Sequence, residues 1–276
     1  MKKQLIMNQA LELFAERGIG ATSIQQITDR CGISKGAFYL SFKSKEELIV
    51  ELVDHFMIQI ASDIDYMVKN EEKDQLLYKF YYHSCNFFHK NSDFAKLFMK
   101  EEAQTVNDGV IEKVHYYNQL MEQSLLELVE RVYGKQEDVV KYDLILCMKA
   151  FAGIYAELCL TLDILPDVEL FSKALVEKTD LIANNGRISL ITKEMVSLFT
   201  KKKNFKKWTE EELIELMNQI IIEFEDSIEK DSLLLLCADL KKKEYPLAIV
   251  NGLLHNIQGN EYCKWIAFLL RKHYEI

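Results

Sequence analysis

Proline occurs only twice in the 276 residues, at Pro166 and Pro246, and glycine ten times. Sandwiches, barrels and doubly wound sheets need frequent turns, which draw on those residues, so their scarcity points to long helices and an all-α fold. The six cysteines (31, 85, 147, 159, 237 and 263) include no C-x-x-C pair. With no export signal beside them, free thiols are expected and paired zinc ligands are not. The longest apolar stretch, Leu144 to Leu162, is interrupted by Lys149 and Glu157. It falls short of the ~18 uncharged residues of a membrane span. Met1 to Ile6 lead straight into an amphipathic pattern, with neither an apolar core nor a cleavage site after them. A cytoplasmic protein with no membrane partner is the expectation. Neither a G-x-S-x-G elbow nor a G-x-x-x-x-G-K-[ST] loop is present, so acyl transfer and nucleotide hydrolysis have no footing and an enzyme is not expected.

What is present is a balance of 49% hydrophobic and 28% charged residues, enough to build a packed core in about two domains. The net charge of -9 divides unevenly. Residues 1–45 carry seven Lys/Arg (2, 3, 17, 30, 35, 43, 45) against three acids (12, 16, 29), a net of +4, and the remainder is strongly acidic. Only the N-terminal end could neutralise a polyanion, while the acidic remainder would be repelled, which orients any encounter with DNA.

Within that basic end, Ile6, Ala10, Leu13 and Phe14 form one face of a first helix over Lys3 to Arg17, closed by Gly18 as a left-handed cap. Thr22-Ser23-Ile24-Gln25-Gln26 offers a capped start to a short second helix, in which Ile24, Ile27 and Cys31 are apolar and which Gly32 ends. Ser34 caps a third helix over Lys35 to Ser41, so the pair reads as a helix-turn-helix. Ser44-Lys45-Glu46-Glu47 is a capping box, with the Glu47 side chain placed to return to the Ser44 amide, and it opens a long fourth helix buried through Leu48, Leu52, Phe56 and Ile60.

The run from Thr22 to Leu48, TSIQQITDRCGISKGAFYLSFKSKEEL, resembles the DNA-binding domain of TetR-type transcriptional regulators. The resemblance lies in the spacing of G-[IV]-S-K-G, then F-Y, then F-K-S-K-E-E-L. It implies a DNA-facing set of Thr22, Gln25, Ser34, Lys35, Gly36, Ala37, Tyr39, Leu40 and Lys45. By resemblance Tyr39 donates its hydroxyl to a phosphate and Lys45 binds another. The amides of Ser34 to Ala37 form a helix start suited to phosphate oxygens. Gly36 costs about 1 kcal/mol relative to Ala inside a helix, which suggests close approach of a DNA backbone or merely a tolerated small residue. Leu40 and Ser41 stand where many relatives have a polar residue and an aromatic one. Leu40 can touch a thymine methyl but cannot hydrogen-bond a base edge, which leaves Lys35 and Gln25 for base or phosphate contact.

Further helices are predicted over 45–69, 73–90, 93–104, 110–133, 138–163 and 167–185. Eight aromatics between Tyr78 and Phe98 surround their helix rather than lining one face, the pattern of an element buried on most sides. In a TetR-like protein such a helix would line the cavity of a small apolar or planar effector, through Tyr78, Tyr81, Tyr82, Phe88 and Phe98, with Tyr117 beside them. The same rings equally suit plain core. His83, Cys85, His89 and Glu112-x-x-His115 invite a metal, but no second E-x-x-H motif exists. Neither a metal nor a cofactor is expected.

Asp143 to Leu162 is relieved by Ala150, Ala152, Gly153 and Ala156. With Val168 to Ala183 it stands in the place of the two helices that form an intersubunit bundle in relatives. The resemblance implies a homodimer through Leu146, Ala150, Gly153 and Leu175, against the reading in which both helices are core of one subunit. Two-fold symmetry would set two third helices about 34 to 36 Å apart on a pseudo-palindromic double-stranded DNA operator.

Beyond Arg187 the chain continues through the basic joint Lys201 to Lys207, a solvated linker or a nucleic-acid contact, into a helix capped by Thr209 and carrying Leu213, Leu216, Ile220 and Phe224. Others follow near 232–243, 246–257 and 260–273. The expected division is a DNA-binding domain over 1–47, an effector and dimerisation domain over 48–187, and an extension over 188–276. The expected function is a repressor that leaves its operator when an effector fills the body. The alternative is a DNA-binding protein without small-molecule input whose extension recruits a protein partner.

Overall fold

The computed structural model describes residues 2–92, 108–135, 138–162, 164–200, 208–222 and 224–276. The helix expected over 93–104, with Phe94 and Phe98, and the basic joint 201–207 lie outside the described residues. Among the described residues every regular element is a helix. They are α1 (Lys2–Arg17), α2 (Ile24–Cys31), α3 (Lys35–Tyr39), α4 (Lys45–Asn70), α5 (Lys73–Lys90), α6 (Asp108–Tyr133), α7 (Asp138–Thr161), α8 (Val168–Asn185), α9 (Lys193–Thr200), α10 (Glu210–Ile221), α11 (Ile228–Lys242), α12 (Leu247–Gln258) and α13 (Lys264–Tyr274).

The chain divides into two compact units, one of residues 1–60 with 71–201 and the other of residues 61–70 with 202–276. This differs from a boundary at 187/188 in two ways. Residues 188–200 stay with the first unit because Ile191 and Val196 bury against Tyr142. The α9 helix was not anticipated; Thr192 caps it, its hydroxyl accepting from the Met195 amide at 3.3 Å. The last ten residues of α4 belong instead to the second unit.

In the first unit, α5 packs on α6, α7 and α8. Tyr81 and Thr179 join α5 to α8 through a hydrogen bond of 2.6 Å. Thr179 spends its own proton on the Leu175 carbonyl at 2.8 Å, so Tyr81 is the donor. Asp167 caps α8, accepting from the Glu169 and Leu170 amides.

In the second unit, Ala61, Ile64, Met67 and Val68 of α4 are buried, as are Leu213, Leu236, Leu254, Ile266 and Leu270. Asp65 accepts from Arg271 at 2.8 Å, with side chains only 4% and 7% exposed. The second Arg271 amino group donates to Gln258 at 3.1 Å. Lys264 bridges Asp63 at 2.7 Å and Glu261 at 2.8 Å. The last helix starts at Lys264 rather than 260, because Asn260 to Cys263 close a turn first.

Candidate nucleic-acid interface

Ile6, Ala10, Leu13, Phe14, Ile19, Ile27, Phe38, Phe42, Leu48 and Leu52 share the core on which α1, α2, α3 and the start of α4 pack. Burying such a set is what allows a five-residue helix to persist, since an isolated helix of that length is unstable in water. Gly18 and Gly32 both adopt positive φ, at 85° and 66°, a region open to glycine at little steric cost. The Gly32 amide bonds back to the end of α2, and the Ile33 amide reaches the Thr28 carbonyl at 3.0 Å. The turn between α2 and α3 is thereby locked.

Capping proceeds much as the residues imply. Ser23 and Gln26 form a reciprocal box, with the Ser23 amide donating to the Gln26 side chain at 2.8 Å. Ser34 caps α3 by accepting from the Ala37 amide at 3.2 Å. At α4 the expectation needs correction. The Ser44 hydroxyl accepts from the Glu47 amide at 3.1 Å, but the Glu47 carboxylate returns to the amide of Lys43 rather than to that of Ser44. That helix start also holds the Glu46 carboxyl below the ordinary carboxylate range, through its own backbone amide first and then the Ser44 hydroxyl.

With Phe38 and Phe42 anchored inside, Tyr39 and Leu40 between them face outward. Tyr39 is 52% exposed and Leu40 is 91% exposed. Ser34, Lys35 and Gly36 are exposed and Ala37 is half-buried. A Cβ on Gly36 would meet nothing nearer than the Ser34 hydroxyl at 3.7 Å, ordinary contact, so the chain's own packing does not demand a glycine there. Gln25 is exposed, its amide donating to Asp29 at 2.6 Å one turn on.

Two members of the expected DNA-facing set are used by the chain itself. Thr22 is 1% exposed and its hydroxyl donates to the Gly18 carbonyl at 2.9 Å, so its side chain closes the α1–α2 joint instead of facing a ligand. The half-buried Lys45 ammonium donates to the carbonyls of Ile19 and Thr22, each at 3.0 Å, with one proton left. Arg30 is likewise committed, to Glu16 at 2.7 Å and Glu12 at 3.1 Å, and Lys3 to Glu51 at 2.9 Å. Lys35 and Lys43 are exposed and have no ion-pair partner among the described residues. Lys43 escaped the sequence reading, although its place one residue beyond the anchoring Phe42 was visible.

The aromatic set of the body is dispersed. Tyr78 and Tyr82 are half-buried and stack on each other, with centroids 5.7 Å apart. Tyr81 is directed to α8. Tyr117 is buried, and its hydroxyl donates to Asp54 of α4 at 2.8 Å; burial and that carboxylate push its phenol well above the ordinary range. Phe88 packs on the cluster of Cys85, Tyr155 and Cys159. The Tyr155 hydroxyl is buried with no hydrogen bond among the described residues, beside the Cys159 thiol. The α5 helix is not enclosed on all sides, since Gln75, His83, His89 and Lys90 are exposed. Among the described residues no three His, Cys, Asp or Glu side chains group as metal ligands.

For the expected dimer face, Ala150 and Gly153 are exposed, and Leu146 is half-buried against Tyr142 and Ile191. Leu175 is 4% exposed and lies inside the subunit, on a helix that packs on α5 and α7. The exposed apolar residues of α8 are Leu170 and Leu181, at 68% and 54%.

A compact basic head that presents one short helix with its anchoring rings turned inward is the reading head of a DNA-binding transcriptional regulator, not an enzyme's site. Residues 6–52 match the family model for bacterial regulatory proteins of the tetR family. The HTH-type transcriptional regulator YuxN of Bacillus subtilis (strain 168) is 25% identical over 274 residues, spanning 94% of this chain and 93% of that one. The HTH-type transcriptional repressor KstR2 of Mycobacterium tuberculosis (strain ATCC 25618 / H37Rv) is 42% identical over 52 residues, 19% of this chain and 26% of that one. The crystal structure of the TetR family transcriptional regulator PfmR from Thermus thermophilus shares the fold, with a TM-score of 0.51 at 21% identity over 66% of this chain and 99% of that one. Through residues 6–52 the chain is similar to the tetR family of bacterial regulatory proteins, and its DNA-binding head is of that type. No described helix is long and apolar enough to cross a membrane.

Proposed function

We propose that the protein is a dimeric repressor that sets the α3 helices of its two subunits into successive major grooves of a pseudo-palindromic operator. A small, largely apolar effector bound in the helical body releases it. The observation that carries the DNA-binding half is the outward face of α3. Lys35, Gly36, Tyr39 and Leu40 are exposed on a helix whose Phe38 is fully buried. Tyr39 donates to a phosphate, Lys35 and Lys43 neutralise others, Gly36 lets the backbone approach, and Leu40 contacts a thymine methyl. Thr22 and Lys45 hold α1, α2 and α4 in register behind that face. The sign of regulation rests on relatives such as KstR2 that are named repressors.

The effector half is supported by the half-buried stack of Tyr78 and Tyr82 and by the unpartnered Tyr155 hydroxyl, features of a wall that is apolar with a few polar points. A coupling of about 1 to 3 kcal/mol between effector and operator alters affinity roughly 5- to 150-fold. The test is footprinting on duplexes selected from a randomised pool. Two protected patches about one helical turn apart on a symmetric site are expected. A single patch on an asymmetric site contradicts the dimeric docking, and operator affinity unmoved by any member of an apolar compound library contradicts the effector.

A further inference from the structure

The tail of α4 is held in the second unit by polar groups as well as by its buried apolar face. Asp65 accepts from one Arg271 amino group at 2.8 Å, and the other donates to the Gln258 side-chain oxygen at 3.1 Å. The Gln258 side-chain nitrogen in turn donates to the Asn70 side-chain oxygen at 3.0 Å. Lys264 donates to Asp63 at 2.7 Å and stands over the Tyr66 ring, 5.4 Å from its centroid. Residues 63, 65, 66 and 70 are therefore each tied to a side chain of α12 or α13.

Stability alone gives a poor reason for this arrangement, because a buried ion pair often holds a fold no better than apolar residues of the same size. The arginine also leaves its Nε buried with no hydrogen bond among the described residues, instead of closing a bidentate pair on Asp65. What the network supplies is register. An apolar helix face can slide in its groove at little cost, whereas Asp65 meets Arg271 at one axial position. The start of the same helix carries the head. The α4 helix is unbroken from Lys45 to Asn70, its Leu48, Ile49, Leu52 and Val53 belong to the head core, and the Lys45 ammonium binds the Ile19 and Thr22 carbonyls. An axial slip of the tail equal to the rise of one residue displaces that start by about 1.5 Å. Two heads on one operator must match a fixed spacing, so a head free to take several positions docks less well at the second half-site.

We infer that Arg271 is a positioning residue for DNA binding: by pinning Asp65, with Gln258 extending the hold to Asn70, it fixes the axial register of α4 and so presents the head at one position. The effect falls on how two heads reach two half-sites, not on the contacts that either head makes. This rests on the dimeric DNA-binding reading above and gives residues 202–276 a task that reading leaves open.

Binding of the full chain to an operator selected from a randomised pool, and to the same duplex with one half-site scrambled, tests it for wild type, Arg271→Met and Asp65→Leu/Arg271→Met. Urea unfolding and circular dichroism follow the fold. The single variant strands a buried carboxylate and should lose stability, while the double variant replaces the pair by apolar contact and should recover most of it. Both should nevertheless prefer the full operator over the half-site by about tenfold less than wild type does, with half-site affinity within about threefold of wild type. A double variant with the wild-type preference shows the pair to be packing alone and overturns the inference. So does a loss at the half-site as large as that at the full operator, which would place the defect in the head itself. Wild type that binds duplex DNA without preferring the full operator overturns the dimeric reading, and the role of Arg271 with it.

Discussion

Lys45 is the residue at which fastening and DNA contact can be told apart. Replacing it with Met keeps the aliphatic stem and removes only the ammonium that donates to the Ile19 and Thr22 carbonyls at 3.0 Å. The Ile19 oxygen keeps a second bond, from the Thr22 amide at 3.2 Å, so its loss is partial. Hydrogen bonds from a charged donor contribute about 1.5 to 3 kcal/mol each; discounted for half-exposure and for that second bond, the pair is worth about 2 kcal/mol. Equilibrium urea unfolding of Lys45→Met should lose about that much without a change in m value. Lys35→Met provides the contrast: unfolding as in wild type, but a salt dependence of operator affinity shallower by about one unit of slope for each subunit. If Lys45→Met unfolds at the wild-type urea midpoint, the ammonium does not hold the α1–α2 joint.

The remaining predictions concern the body and the second unit. Leu175→Ala should cost about 2 to 5 kcal/mol in unfolding experiments because it opens a cavity inside the subunit, whereas the exposed Leu170→Ala should leave subunit stability unchanged. Tyr155→Phe removes a buried hydroxyl without a partner, so stability should be unchanged or rise by about 1 kcal/mol; a loss of that size would reveal a partner. Arg271→Met strands the buried Asp65 carboxylate and should destabilise the second unit by about 3 to 5 kcal/mol, most of it recovered in Asp65→Leu/Arg271→Met. Burial pushes the Cys85 and Cys263 thiols up to about 12, so at pH 8 in native protein iodoacetamide should label neither before the half-buried Cys31 and Cys147; early labelling of Cys85 or Cys263 would contradict the packing.

The head was legible because its signals are short-range. Serine caps, left-handed glycines and anchoring phenylalanines each act within four or five residues, and the exposure of Tyr39 follows from the burial of Phe38 and Phe42. What escaped is long-range or ambiguous in phase. Thr22 and Lys45 look like DNA contacts until the chain brings the Lys45 ammonium back to carbonyls 26 and 23 residues earlier. Leu175 and Leu170 are equally apolar, and α8 is apolar enough on both sides that periodicity alone does not choose which faces α5. Residues 61–70 read as the tail of one long helix, yet Asp65 finds its partner at Arg271, 206 residues on, and so belongs to the second unit. Of the eight clustered aromatics six lie on α5, and stacking and hydrogen bonding send them in different directions.

In the proposed mode α3 carries the protein onto duplex DNA while the acidic body stays clear. Binding to a duplex selected from a randomised pool, titrated against salt, tests it most directly. With Lys35 and Lys43 acting on both subunits, log affinity should fall with log salt at a slope of about -4, and Tyr39→Phe should weaken binding without altering stability. Affinity indifferent to salt, or equally tight in a protein lacking the Tyr39 hydroxyl and the Lys35 charge, would contradict it.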